Sequence, residues 1–154
     1  MKKWMAACLA LVMVCTFAGC KKERATEHKD GMVGAKSTRE ISDVLEITFT
    51  EENREKNEVS FQIHNPHENL YVYGYGHVME VLIDGVWYTT QYGAPDAPAG
   101  EINIQPGETK VETYTLFNDP PVGTYRIVVM EAASYDDRFV KSGNACIAAE
   151  FMLE

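Results

Sequence analysis

Few residues in this chain have the type and spacing to do chemistry. The histidines are His28, His64, His67 and His77. His64 and His67 flank Asn65-Pro66, so a turn sets their spacing. Two imidazoles at a turn can start a transition-metal site, but zinc usually needs three or four ligands and no third is evident. Exposed turn residues are the plainer reading. Ser134-Tyr135-Asp136-Asp137 places adjacent acids before Arg138-Phe139, as a calcium loop would, but without the spacing or the glycine of an EF-hand. No G-x-S-x-G, H-E-x-x-H or Gly-rich phosphate loop occurs, and no nucleophile stands beside a base. The expectation is therefore no enzyme, no metal and no cofactor. The remaining candidate is aromatic. Tyr71, Tyr73, Tyr75, Trp87, Tyr88 and Tyr92 crowd one stretch, beside Gly74 and Gly76. Exposed, they form a candidate ligand surface for peptide or carbohydrate. Otherwise they are a second packed layer under the Tyr92 to Gly100 loop, which holds Pro95 and Pro98.

The cysteines give the clearest chemical signal. Lys2 and Lys3 open the chain, and Trp4 to Ala18 is an almost wholly apolar run of fifteen residues. That suits a secretory h-region and falls short of the ~20 residues a membrane-spanning helix needs. The run ends in Phe17-Ala18-Gly19-Cys20, which resembles the lipobox of bacterial lipoproteins, with Phe17 where Leu is commonest. The resemblance implies that the Cys20 thiol receives a diacylglycerol and that cleavage makes Cys20 the mature N-terminus. Burial of the acyl chains, at ~0.8 kcal/mol per CH₂, would hold the protein at a membrane. Cys8 and Cys15 leave with the signal peptide. Cys146 is then the lone thiol of the mature domain, so no internal disulfide can form. A buried apolar role suits it.

These residues need elements to hold them. Lys21 to Glu40 is polar, contains Gly31 and Gly34, and has no apolar period, so it reads as a flexible tether with a span of about 25 Å. From Ile41 onward the period is two. Val59, Phe61 and Ile63 alternate with polar neighbours, which is the pattern of a half-buried strand. Val78 to Ile83 and Val86 to Thr90 flank Asp84-Gly85, a two-residue type I′ hairpin signal. The expected register pairs Ile83 with Val86, Leu82 with Trp87, and Val81 with Tyr88. Asp43 to Thr50, Val111 to Phe117 and Gly123 to Glu131 are further strands. The last is Ala145 to Leu153, with Ile147, Ala149, Phe151 and Leu153 inward. Seven or eight short strands with no helical period predict an all-β, two-sheet sandwich.

The motifs resemble those of the bacterial immunoglobulin-like domain found in small lipoproteins, mostly of Gram-positive bacteria. They are Asn65-Pro66; Tyr73-Gly74-Tyr75-Gly76 with Glu80; Asp84-Gly85-Val86-Trp87-Tyr88; Ile104-Gln105-Pro106-Gly107-Glu108; Gly123-Thr124-Tyr125-Arg126-Ile127-Val128; and Phe151. They cover about residues 45–153. The resemblance implies a β-sandwich and brings no catalytic residues. Tyr125 sits where sandwiches place a tyrosine corner, its hydroxyl bonded to upstream backbone. Trp87 is expected in core or inter-sheet packing, and Phe61 and Ile127 at positions that antibody-like domains give to cysteines.

Three segments follow: a lipoprotein signal peptide at 1–19, lipidated Cys20 and a flexible tether at 20–40, and an immunoglobulin-like β-sandwich at 41–154. Removing residues 1–19 takes the formal charge from −9 to −11, which disfavours nucleic acid as a partner. The expected role is a non-catalytic binding or structural module, exported and lipid-anchored on the extracytoplasmic face of the cell membrane. Its partners are the membrane, through Cys20, and a protein or envelope polymer. The alternatives are a proteinase-inhibitor-like module, by likeness to small bacterial inhibitors with a similar sandwich and Pro-Gly-Glu turn, and a metal or small-ligand carrier using His64 and His67.

Overall fold

Asp84 and Gly85 both hold positive φ, 49° and 77°, the backbone that a type I′ turn demands. They join β5 (His77–Ile83) to β6 (Val86–Thr90) in the expected register, Ile83 opposite Val86, Leu82 opposite Trp87 and Val81 opposite Tyr88. The computed structural model describes residues 25–74, 76–93, 100–135 and 145–154, with residues 131–135 described by their backbone alone. Residues 1–24, Tyr75, the Pro95 and Pro98 positions and Asp136-Asp137 with Arg138-Phe139 lie outside the described residues, so the segment expected to be a signal peptide and Cys20 do too.

Ten strands form two sheets among the described residues. β1 is Val33–Lys36, β2 Glu46–Asn53, β3 Glu58–His64, β4 Leu70–Gly74, β7 Glu101–Ile104, β8 Thr109–Thr115, β9 Gly123–Tyr135 and β10 Ala145–Leu153. The larger sheet runs β1-β6-β5-β9-β4-β7, with β10 also paired to β9, on the side away from β5; the smaller runs β2-β3-β8. Every pairing between these strands is antiparallel. No helix is present among the described residues.

The period-two patterns put the expected side chains between the sheets. Val59, Phe61 and Ile63 of β3 are buried, as are Tyr125, Ile127 and Val129 of β9 and Ile147, Ala149, Phe151 and Leu153 of β10. Phe49 of β2 stacks on Phe151 of β10 at 5.1 Å, joining the two sheets. Each large apolar side chain fully buried here contributes about 1.5–3 kcal/mol relative to exposure. The Tyr125 hydroxyl donates to the Pro121 carbonyl at 2.9 Å, which completes the tyrosine corner. Buried Asn65 ties two turns together: its Nδ2 donates to the Asn69 and Ile104 carbonyls, and its Oδ1 accepts from the His67 amide.

Sequence patterning expected two or three fewer strands, and the extra ones are short or disguised. β7 has four residues. β4 reads Leu-Tyr-Val-Tyr, apolar on both faces, so period two is hidden. β1 lies inside the segment expected to be a flexible tether, and here the expectation is overturned. The chain is fixed from Ala25 onward. The Ala25 carbonyl accepts from the Val122 amide, the Lys29 ammonium donates to the Asn118 carbonyl, and His28 Nδ1 shares a hydrogen bond with the Tyr92 hydroxyl. β1 then pairs with the open edge of β6, Val33 opposite Thr90 and Lys36 opposite Tyr88. From Ser37, whose amide donates to the Trp87 carbonyl, the chain crosses the outer face of the larger sheet. It reaches the far edge at Ile41, which bridges Cys146. The folded unit thus begins no later than Ala25 rather than at Ile41.

The physical reason lies in what a tether argument counts. It asks whether a segment can bury its own apolar surface. This segment is ordered by another strand's unpaired N–H and C=O groups. Gly34, read as a source of flexibility, serves close approach: a Cβ there would meet Thr89 Oγ1 at 2.6 Å.

Candidate functional site

The aromatic set does not form one surface. Tyr73 and Tyr92 are wholly buried between the sheets, which removes them from any ligand surface. The Tyr73 hydroxyl donates to Glu112 at 2.7 Å, and the Tyr92 ring meets Tyr125 edge-on at 6.5 Å. Tyr71 is half-buried and stacks on His67 at 5.0 Å. Tyr88 is half-buried against the core. Trp87, expected in the inter-sheet core, lies instead on the outer face of the larger sheet, because its cross-strand partner Leu82 has the opposite parity to core residue Val81. Tyr75 lies outside the described residues. The set splits because β5 and β6 alternate and both faces of their sheet are covered, the inner by the second sheet and the outer by the strap from Ser37 to Ile41.

Beneath that strap lies a charged cluster that sequence reading missed. Glu80 of β5 is fully buried. Its Oε1 accepts from Arg39 Nη1 at 2.7 Å, and its Oε2 accepts from Arg126 Nε at 2.8 Å and Nη2 at 2.7 Å. The Arg126 guanidinium, itself nearly buried, lies over the Trp87 ring at 4.3 Å. Burial alone would raise the Glu80 pKa. The hydrogen bonds from Ser37 and Arg126, the Arg126 charge and the Arg39 hydrogen bond outweigh it, so the carboxyl stays below its ordinary value and ionised. The forked Arg126 contact is the strong bidentate kind. The signal for this cluster was present. Glu80 interrupts an apolar run, Val78-Met79 before and Val81-Leu82 after, and Arg126 sits between Tyr125 and Ile127. Opposite charges inside two adjacent apolar strands mark a buried pair.

A carboxylate held by two guanidiniums is a clamp, not a general base. Cys146 lies at the end of the same strap, half-buried. Burial, with Glu80 adding, raises its pKa against the lowering effects of Arg39 and Arg126, so it stays a protonated, poorly nucleophilic thiol at neutral pH. The histidines are engaged separately. His64 Nδ1 donates towards the Glu108 carbonyl and reaches Thr109 Oγ1, and His67 Nε2 donates to the Val44 carbonyl at 2.9 Å. No group of three His, Cys, Asp or Glu side chains converges to hold a metal among the described residues.

The exposed turn at Gln105-Pro106-Gly107-Glu108 is braced from inside. The Glu108 amide donates to the Gln105 carbonyl, Glu108 Oε2 accepts from the Gln105 amide, and the Asn65 backbone bonds both Gly107 and Glu108. The Glu108 carboxyl is held below its ordinary pKa, first by that amide and then by Lys110.

A family model described as a bacterial Ig-like domain matches residues 40–139. The chain belongs to this family. Its two-sheet, all-β architecture agrees with membership. No curated protein and no solved structure matches the chain. Bacterial Ig-like domains are typically non-enzymatic and commonly extracellular or surface-exposed. In this bacterial Ig-like chain residues 25–36, which include β1, and strand β10 lie outside the matched range yet are hydrogen-bonded into the fold.

Proposed function

We propose that this bacterial Ig-like protein is a lipoprotein, anchored through Cys20 and presenting a non-catalytic binding or structural domain on the extracytoplasmic face of the membrane. The observation that carries this reading is Phe17-Ala18-Gly19-Cys20 at the end of a fifteen-residue apolar run behind Lys2 and Lys3. A thiol placed there has a lipid-transfer role that a half-buried cysteine such as Cys146 does not. The commitment of Glu80, Arg39, Arg126, His64, His67 and Asn65 to scaffold contacts supports a module that binds rather than catalyses. Its partner is a protein or an envelope polymer. Tyr71, with the His67 ring stacked on it, and the Trp87 edge are the aromatic contacts left for it. Among the described residues no helix is long and apolar enough to cross a membrane.

Cys20→Ser is expected to move the protein from the membrane fraction to the soluble fraction while leaving its denaturation midpoint unchanged. Retention in washed membranes of a Cys20→Ser variant from which residues 1–19 have been removed, checked by mass, would refute the anchor.

The second reading, a proteinase-inhibitor-like module, is favoured by the braced and exposed Gln105–Glu108 turn, since inhibition needs a rigid loop. The excised domain, residues 25–154, would then slow peptide hydrolysis by a proteinase, and Pro106→Gly would weaken that effect. Unchanged hydrolysis rates across the main proteinase classes leave the binding-module reading.

A further inference from the structure

Phe117 and Val122 are two of the five exposed large apolar side chains among the described residues, 43% and 44% accessible. Both lie on the loop between β8 and β9. That loop is stiff. Asn118 and Asp119 turn it with positive φ of 60° and 50°, Pro120 and Pro121 are buried, and Pro121 holds the Tyr125 hydroxyl. It is also where the N-terminal segment is tied, through Val122 to Ala25 and Asn118 to Lys29.

We propose that this corner, formed by Ala25, Phe117 and Val122, rests against the bilayer that carries the Cys20 lipid, with the Phe117 and Val122 side chains at headgroup depth. The inference depends on the lipid-anchor reading and extends it from attachment to orientation. The reason is chain length. Ala25 is five residues from Cys20, and five extended residues reach at most about 18 Å. A flexible tether through Glu40 would have let the domain tumble. Fixing the chain at Ala25 removes that freedom and holds one particular corner near the headgroups. The apolar side chains available at that corner are then close enough to enter the interface.

Charge decides which surface suits it. The connecting residues carry Lys21, Lys22 and Arg24 against the single acid Glu23, and the corner carries Lys29 against Glu27, Asp30 and Asp119. The basic and acidic groups balance, so attraction to anionic lipid is not the driving term. A neutral phosphatidylcholine surface should serve.

The test uses the full-length protein purified from membranes in a Cys146→Ala background, reconstituted into phosphatidylcholine vesicles. An environment-sensitive fluorophore is attached in turn to Phe117→Cys, Val122→Cys and Gln105→Cys variants. Gln105 lies beyond the opposite end of β8 from Phe117, roughly 25 Å or more away at ~3.4 Å per residue. The labels at 117 and 122 are expected to be blue-shifted, and quenched by nitroxide-bearing lipid several-fold more than the label at 105. Having two positions guards against one variant misfolding. Equal water exposure at all three, with the Cys20 lipid verified by mass, overturns the docking and leaves the anchor standing. A Cys20 without lipid overturns both. Protection at 117 that persists in the unlipidated Cys20→Ser protein and grows with its concentration assigns the corner to a second copy of the chain instead.

Discussion

Glu80→Gln is expected to cost this domain about 3–5 kcal/mol of folding free energy, the range for breaking one side of a buried ion pair. The shape is kept, but the amide offers Arg126 one acceptor and two donors where two anionic oxygens stood. Arg126, nearly buried and stacked on Trp87, is left with an uncompensated charge, and Arg39 loses its hold on the strap. Urea denaturation at pH 7 should show a lower midpoint with an unchanged slope. Replacing both Glu80 and Arg126 with apolar residues of similar size should recover much of the loss, because neither charge is then stranded. A midpoint within experimental error of the parent would mean the cluster is not the clamp described.

The same carboxyl gives a signed pH dependence. Its folded pKa lies below the ordinary value of 4.5. The unfolded chain therefore takes up the proton first as pH falls. The contribution is fully present above about pH 4.5 and is lost progressively as pH drops through the lower folded value. The parent should lose stability over that acid window, and Glu80→Gln should lack this component of the loss.

The second large effect comes from removing residues 25–40. A domain beginning at Ala25 and one beginning at Ile41 would melt together if the segment were a tether. The structure instead predicts that the shorter form loses more than about 4 kcal/mol, beyond what most single substitutions do. It loses the β1 pairing, the Arg39 hydrogen bond to a charged group, worth about 1.5–3 kcal/mol, and the His28 and Lys29 contacts that close the corner at Tyr92 and Asn118. It also bares the edge of β6, so it should aggregate on standing. Paired urea curves and light scattering of the two forms decide the matter. Coincident curves would restore the tether.

These two regions mark where the sequence was not legible; other parts of the fold were. Strand β10 and the register of the β5–β6 hairpin were readable to the residue, because a two-residue turn fixes register and period two fixes facing. Tyr125 was readable because its distance from Gly123 places the hydroxyl over the preceding loop. The fixed path of residues 25–40 was not readable. It depends on the unpaired edge of β6, on the Gly34 approach to Thr89 and on a crossing to Cys146, all set by residues distant in sequence. The aromatic candidates split for a related reason. Composition shows that Tyr73, Trp87 and Tyr92 are near one another along the chain, but strand parity sends them to different places. The Glu80–Arg126 pair could have been found by asking why a charge interrupts each of two apolar strands.

Mass analysis of the mature chain extracted from membranes bears most directly on where this bacterial Ig-like domain works. The expected N-terminal peptide begins at Cys20, carries the mass of two or three fatty acyl chains on that residue, and leaves Cys146 as a free thiol. A mature chain that starts at any other position, or a Cys20 with no lipid adduct, would contradict the anchor and the orientation drawn from it.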